Sequence, residues 1–408
     1  MRAVAVAAAA LTVSVCAAVP AAAGAPGIDA ARLGASIRAA AQAHFGLWDR
    51  ARRASFASAW SRYRSASARM GGRDAVALEA IRLVASLRNA HTSIDDPQFA
   101  ATRRWRLPFV LRYVDGAWIV TESRSREIPS GAELRAIDGV PAERFFATHR
   151  DLVFASSDAQ ARTLLEAEMR SVDGDAHPPR LSFDEGRELT PSANVADAFS
   201  PRVAFHWLVV DRVAYIAVPS FDGETFERDA LTALKRFITA DAIVIDVRGN
   251  GGGSTPVDFL ELLTDRTLPW WKESTNAPLP ARKPVVGQQI PPADGHYDGR
   301  VVVLADERCI SACEDFVMPL VYGRRARFVG SRTAGSTGQP FVTQLDGGIT
   351  LAVGSIQSSL PDGRPFEGIG IAPTDPAPLR AADVKAGVDA QLDRALAVAE
   401  AKPEMRAR

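Results

Sequence analysis

Three patterns of apolar positions follow one another along the 408 residues. Leu33, Ile37, Ala40 and Ala41 recur at helical spacing, and Ala75, Leu78, Ile81 and Ala85 repeat it after the Gly71-Gly72 break. This period predicts a small helical domain over residues 28–100, with its apolar stripe serving as ordinary core. From about Trp105 the character changes. Stretches 107–114 and 117–120 look like strands joined through Asp115-Gly116, a strong hairpin signal. A helix over 158–169 and a short strand over 179–183 complete a strand-rich module at 105–195. From 203 to 395 strands (213–218, 242–245, 301–304, 348–353) alternate with helices (224–238, 255–263, 311–322). That alternation predicts an α/β core with ligands gathered at the carboxyl ends of its strands. The Pro- and Trp-bearing stretch 264–297, with Trp270-Trp271, is long for a structureless loop and is either a cleft cover or a packed excursion.

Chemistry concentrates where three of these elements end. The strand 301–304 runs out into Asp306-Glu-Arg-Cys-Ile-Ser311-Ala-Cys-Glu314-Asp315, where a small-residue helix begins. A serine there aims its hydroxyl at the end of the sheet, beside helical N–H groups that can receive developing negative charge. An isolated serine in this position more often caps the helix. Here Ala312 keeps the approach slim and offers one oxyanion donor, and the glycines after Asn250 can bring a second, at Gly252. Asp246 and Arg248 read as anchors for that glycine loop. Phe366-Glu367-Gly-Ile-Gly-Ile-Ala-Pro373 sets a carboxylate in a tight turn.

Bulk properties narrow the context. Basic and acidic residues balance at 48 each, with no basic block, which gives no argument for nucleic acid. Residues 1–23, with one early Arg, an Ala/Val run and Ala21-Ala-Ala23, read as a signal peptide, so an exported protein, periplasmic or extracellular, is expected. Cys16 invites a lipoprotein reading, but Val15 stands where a small residue is wanted. No later run is long and apolar enough for a membrane span. The two remaining cysteines, Cys309 and Cys313, flank Ser311 at a spacing that puts them on one helix face. Helical geometry is awkward for a bridge, which favours buried free thiols over a disulfide. Two cysteines alone do not make a zinc site.

Together these marks resemble the C-terminal-processing (tail-specific) serine peptidase family, in the branch of the tricorn protease core and the interphotoreceptor retinoid-binding modules. The shared segments are Tyr215-Ile-Ala-Val-Pro219-Ser-Phe221, Asp246-Val-Arg248-Gly-Asn250-Gly-Gly-Gly253, Ser311-Ala-Cys-Glu-Asp315, Gly330-Ser-Arg-Thr333-Ala-Gly335 and Glu367-Gly-Ile-Gly-Ile-Ala-Pro373. The resemblance implies a mixed-sheet α/β peptidase core preceded by a helical domain and a PDZ-like module. Ser130-Gly131 through Asp138-Gly139-Val-Pro141 matches the turn, strand and turn of such a module, which can take an extended peptide by strand addition. The lysine of the family's better known branch would fall at Ser336, so this chain cannot use it. The histidine branch is matched instead by His91 in Leu87-Arg-Asn-Ala-His91-Thr92, with Glu367 in support, although Ala90 replaces a residue that is usually polar or glycine.

A near-neutral imidazole suits His91 to take the Ser311 proton and return it to a leaving amine. Glu367 bonds to His91 directly, through Ser336, or through a water. Asp315 is a further supporting candidate. The other histidines have no comparable setting. The expectation is a serine peptidase acting on extended peptide or protein through an acyl-enzyme, requiring neither cofactor nor metal. The rivals are a non-catalytic binder of an apolar ligand or peptide and an esterase using the same serine. The sequence carries no signal for an oligomeric state.

Overall fold

A computed structural model describes residues 28–101, 107–167, 178–191, 203–208, 212–275 and 287–401. The leader read in residues 1–23 lies outside them, as do Met169 at the end of the helix read over 158–169 and the middle of the 264–297 stretch.

The central sheet has six strands, in the order Asp375–Pro376, Ala326–Gly330, Arg300–Ala305, Ala242–Asp246, Val213–Ala217 and Ala204–Leu208. All pairs are parallel except the last, which makes the sheet mixed, as expected. Its strands read as continuous apolar runs because both faces are covered. Ile243, Ile245, Val301, Val303 and Ala305 share one cluster with Phe259, Leu263 and Phe316 from the helices Val257–Leu263 and Ala312–Tyr322. The alternate positions Ala242, Val244, Val302 and Leu304 pack with Ala395 and Ala399 on the opposite face. Those alanines belong to the helix Ala390–Glu400, so the boundary expected at residue 395 cuts through a helix that the core needs.

The helices Ala30–His44, Arg50–Ser67 and Gly72–Ala85 do not close a core by themselves. Their buried residues Leu33, Ile37, Leu83 and Val84 cluster with Ile349, Leu351 and Val353. These three alternate along the strand Ile349–Gly354, in a three-stranded sheet between Ser93–Asp95 and Pro340–Leu345. The N-terminal helices therefore cover one face of a sheet built mostly from late residues. The pairing Ser93↔Ala352 lies just after His91 and fixes where that residue stands.

The strand-rich module has its own core, including Phe109, Trp118, Leu134, Phe146 and Phe183. The hairpin forms where it was expected, as Phe109–Val114 and Ala117–Ser123, with Asp115 and Gly116 both at positive φ. Arg112 in its first strand reaches the peptidase core and forms an ion pair with Asp306 at 3.1 Å and another with Glu307. Trp271 is 1% exposed and belongs to the main core, so the described part of the 264–297 stretch is packed structure rather than a free cover.

Because the N-terminal helices depend on the late strand, Leu351→Ala should lower unfolding free energy by about 2–5 kcal/mol, the range for emptying a buried leucine site. Val342→Ala on the exposed outer strand should change it by less than about 0.5 kcal/mol. Urea melts of the two variants check this, and equal midpoints would refute the shared core.

Candidate active site

Ser311 sits at an elbow. The strand Arg300–Ala305 ends, Asp306 folds the next turn by accepting from Gly249 N–H and Arg308 N–H at 3.0 Å each, and the helix starts at Ala312. Ser311 itself has φ 59° and ψ −125°, and its hydroxyl caps no backbone amide. For a residue with a Cβ such a conformation costs on the order of 1–3 kcal/mol and persists only where its surroundings enforce it. Here Ser311 N–H donates to Ser336 C=O at 2.9 Å. Gly252 presses from the other side: a Cβ on it would lie 2.7 Å from Ile310 C=O and 2.9 Å from Ser311 Cβ. The helix-capping alternative for Ser311 is thereby excluded.

The hydroxyl points to histidine. Ser311 Oγ lies 3.0 Å from His91 Nε2, and His91 Nδ1 lies 3.0 Å from Ser336 Oγ. Ser336 Oγ is 3.1 Å from Glu367 Oε1. The polarity of this chain follows from its carboxylate end. An ionised Glu367 only accepts, so Ser336 donates to it; Ser336 Oγ then accepts from Nδ1–H, and Nε2 is left with a lone pair for the Ser311 proton. Of the three routes left open by the sequence, the structure has Glu367 reaching His91 through Ser336.

Two residues missed in the sequence complete the arrangement. Glu367 Oε1 also accepts from Asn89 Nδ2 at 2.7 Å and from the Ser156 hydroxyl. Asn89 is oriented for this because its Oδ1 accepts from the Thr92 hydroxyl at 2.7 Å. Ser156 Oγ accepts from Ala90 N–H at 3.0 Å, so the backbone at Ala90 does the anchoring that its side chain cannot. Asn89 stood in the histidine motif, two residues before His91. Ser156, 65 positions away from His91 in sequence, gave no signal. Desolvation raises the pKa of Glu367 above the ordinary glutamate range, and the hydrogen bonds from Ser156, Asn89 and Ser336 oppose it. Desolvation lowers that of His91 to about 4.

Glu314 and Asp315 hold the frame. Glu314 is fully buried and accepts from Gly335 N–H at 2.8 Å, Ser336 N–H at 2.9 Å and the Thr333 hydroxyl, which pins the loop carrying Ser336. Burial pushes its pKa up to about 8 against these donors. Asp315, a supporting candidate from sequence, accepts from Thr255, Trp271 Nε1 and Thr337 at 2.8, 2.7 and 2.6 Å. All three ties are structural, and none of them reaches His91 or Ser311. Gly370 lets the glutamate turn close on the same loop, since a Cβ there would sit 2.2 Å from Thr333 C=O. The anchoring role read for Arg248 and Asp246 is visible as their 2.7 Å ion pair, extended to Asp389 at 2.8 Å.

Two expectations change. Gly252 is against Ser311, but its N–H donates to Asn250 Oδ1 at 2.9 Å in a local side-chain turn, so it is not a free oxyanion donor in this conformation. Ala312 keeps its place, its N–H being at the first helical position where the helix offers no acceptor. Cys309 and Cys313 are not free thiols. They form a disulfide with their Cα atoms 5.3 Å apart. The helical argument against a bridge fails because the helix begins only at Ala312 and Ser311 has positive φ, so the two cysteines do not share a helix.

Residues 212–376 match the model for peptidase family S41. That span is the α/β core, which is similar to peptidase family S41. It is a serine-type peptidase, a hydrolase. The structure of mature CPAF complexed with lactacystin superposes with a TM-score of 0.71 at 16% identity, covering 91% of this chain and 98% of that one. The photosystem II D1 C-terminal processing protease gives 0.52 at 16% identity, covering 86% and 92%. At that identity the two likenesses speak for the fold. No curated protein sequence matches the chain.

Because Glu314 faces two backbone donors, Glu314→Gln turns an amide NH2 onto an N–H group. The expected cost is about 1–3 kcal/mol of stability, from an unsatisfied buried donor. It should come with slower reaction of Ser311 as the Ser336 loop loosens. Urea melts and inhibitor labelling together check it, and a variant of unchanged stability would show that the buried carboxylate is not required there.

Proposed function

We propose that this peptidase is exported and hydrolyses peptide bonds with Ser311 as nucleophile and His91 as general base, Glu367 acting on His91 through Ser336. The observation that carries this reading is the unbroken run of contacts from Ser311 Oγ through His91 and Ser336 to Glu367, each at 3.0 or 3.1 Å. Ser311 Oγ attacks the carbonyl carbon while Nε2 takes its proton, and the positive charge that develops on the imidazole is stabilised along Nδ1, Ser336 and the carboxylate. The tetrahedral oxyanion is received at Ala312 N–H. Nε2 then gives its proton to the leaving amine, and a water activated by the same nitrogen releases the acyl group.

The leader-like residues 1–23 support export, and so does a disulfide, which forms and persists in oxidising compartments. The strand-rich module at 105–195 is read as PDZ-like, holding an extended peptide or gating its entry. No helix among the described residues is long and apolar enough to cross a membrane.

A fluorophosphonate should label Ser311, with the adduct mapped by mass spectrometry. His91→Ala should lower the labelling rate and kcat by about 10²–10⁴-fold, the usual range for a general base. Glu367→Gln and Ser336→Ala should fall between that variant and the wild type. Folded wild-type protein that does not label would sink the reading.

The pH profile follows from the pKa directions. His91 must be neutral to accept a proton, and its midpoint near 4 lies below the usual 6.5, so it stays competent as pH falls past 6.5. Glu367 is shifted upward, and its protonation reverses the donation from Ser336. Protonation of either group interrupts the relay and contributes to the acid limb of kcat/KM. We expect that limb below pH 6.5; a midpoint at or above 6.5 would contradict a desolvated, neutral imidazole.

A further inference from the structure

We propose that the Cys309–Cys313 disulfide is a positioning device for the catalytic serine, and that opening it disables Ser311 while the protein stays folded. This rests on the reading of Ser311 as nucleophile. The bridge closes a ring whose other members are Ile310, Ser311 and Ala312, so the serine stands at its centre. Both cysteines are fully buried. Cys309 is held from two directions, its N–H donating to Asp306 C=O at 3.0 Å and its C=O accepting from Ala334 N–H at 3.0 Å. Cys313 lies in the first turn of the helix Ala312–Tyr322. The sulfurs thus tie the end of the strand-to-helix loop to the start of the helix, across the residue with φ 59°.

A serine released from that constraint relaxes toward right-handed helical angles, the well favoured for any residue with a Cβ. The helix would then extend backward through Ser311 and Ile310. Cysteines four apart in a continuous helix are poorly placed for a bridge, so the closed ring and the extended helix exclude each other. Relaxation would swing Ser311 Oγ away from His91 Nε2 and turn Ala312 N–H into the helix, removing the base contact and the oxyanion donor together. Cys309, Ala312 and Cys313 sit in the main core with Phe259 and Phe316, and two buried thiols are apolar enough to go on packing there, so the core survives the opened ring.

Opening is a two-electron reduction. A dithiol reductant attacks one sulfur as thiolate, the S–S bond breaks, and its second thiol resolves the mixed disulfide. The protein gains two protons and two electrons as two thiols, and the reductant leaves as a cyclic disulfide.

The test uses the signal-free chain treated with dithiothreitol in dilute urea to admit the reductant to the buried bridge, then returned to buffer without oxidant. Thiols are counted by alkylation and mass spectrometry, and folding by circular dichroism. The reduced, folded protein should label with fluorophosphonate at no more than one-tenth of the oxidised rate. Its kcat should fall in parallel with KM within about twofold, the pattern of a loss confined to the transition state. Reoxidation should restore both. The double variant Cys309→Ala/Cys313→Ala should show the same loss without recovery. Labelling of the reduced, folded protein at the oxidised rate overturns the proposal. So does failure of both the reduced protein and the double variant to fold, which would make the bridge a staple of the fold. If the oxidised protein does not label at all, it is the assignment of Ser311 that fails.

Discussion

A desolvated carboxylate must be surrounded by donors, and Glu367 draws its donors from three distant parts of the chain. Asn89 comes from the turn after the N-terminal helices, Ser156 from within the strand-rich module, and Ser336 from the peptidase core, all converging on one oxygen. None of these segments could place its donor without the packing beneath it. The sheet that joins Ser93–Asp95 to Ile349–Gly354 sets Asn89 and His91, and the glycine turn at 367–371 zips onto the Ser336 loop through Gly368 N–H to Gly335 C=O at 2.7 Å. The site is therefore a property of the whole assembly rather than of the α/β core alone.

A second carboxylate does for the loop what Glu367 does for the imidazole. Glu314 lies three residues beyond Ser311 in the first turn of the following helix, yet both of its oxygens face the loop that carries Ser336. Ser311 N–H in turn donates to Ser336 C=O. Nucleophile, loop and relay hydroxyl are thus closed into one ring of contacts, which acts together with the Cys309–Cys313 bridge on a serine at φ 59°. The backbone strain at the elbow is balanced by hydrogen bonds that a relaxed serine would lose.

Much of this was legible in the residues. The alternation of apolar runs and helical periods from residue 203 gives the three central strands of the mixed sheet, because positions buried on both faces leave unbroken runs such as Ala242-Ile-Val-Ile245, but it gives neither the flanking strands nor the separate sheet of the strand read at 348–353. Ser311, His91 and Glu367 could be singled out because each sits in a short patterned segment. Two of the donors to Glu367 could not, since a serine at 156 or an asparagine at 89 acquires meaning only from what folds against it. The shared core of the helices was hidden for a related reason. Ile349, Leu351 and Val353 read as one more late strand, and nothing local says which layer covers them. The disulfide was misread because helical geometry was assumed all the way back to Cys309, whereas the helix begins at Ala312 and Ser311 has positive φ, so the regular face for both cysteines does not exist.

The residue at position 336 determines how much of the chain catalysis needs. A lysine there, as in the other and better known branch of the family that this sequence resembles, carries its own basic nitrogen to the nucleophile. A serine carries none: its hydroxyl can only pass polarity between an imidazole and a carboxylate. The base must then come from elsewhere, and here it arrives on a turn fixed by the N-terminal helices and by Thr92, whose hydroxyl accepts from Gly354 N–H at 2.9 Å. With serine at 336, the helices and the strand they cover become part of the proposed catalytic apparatus, and the segment at Ser156 ties the strand-rich module to it. The module thus touches both ends of the proposed relay, the carboxylate through Ser156 and the turn that leads to the nucleophile through the Arg112–Asp306 ion pair.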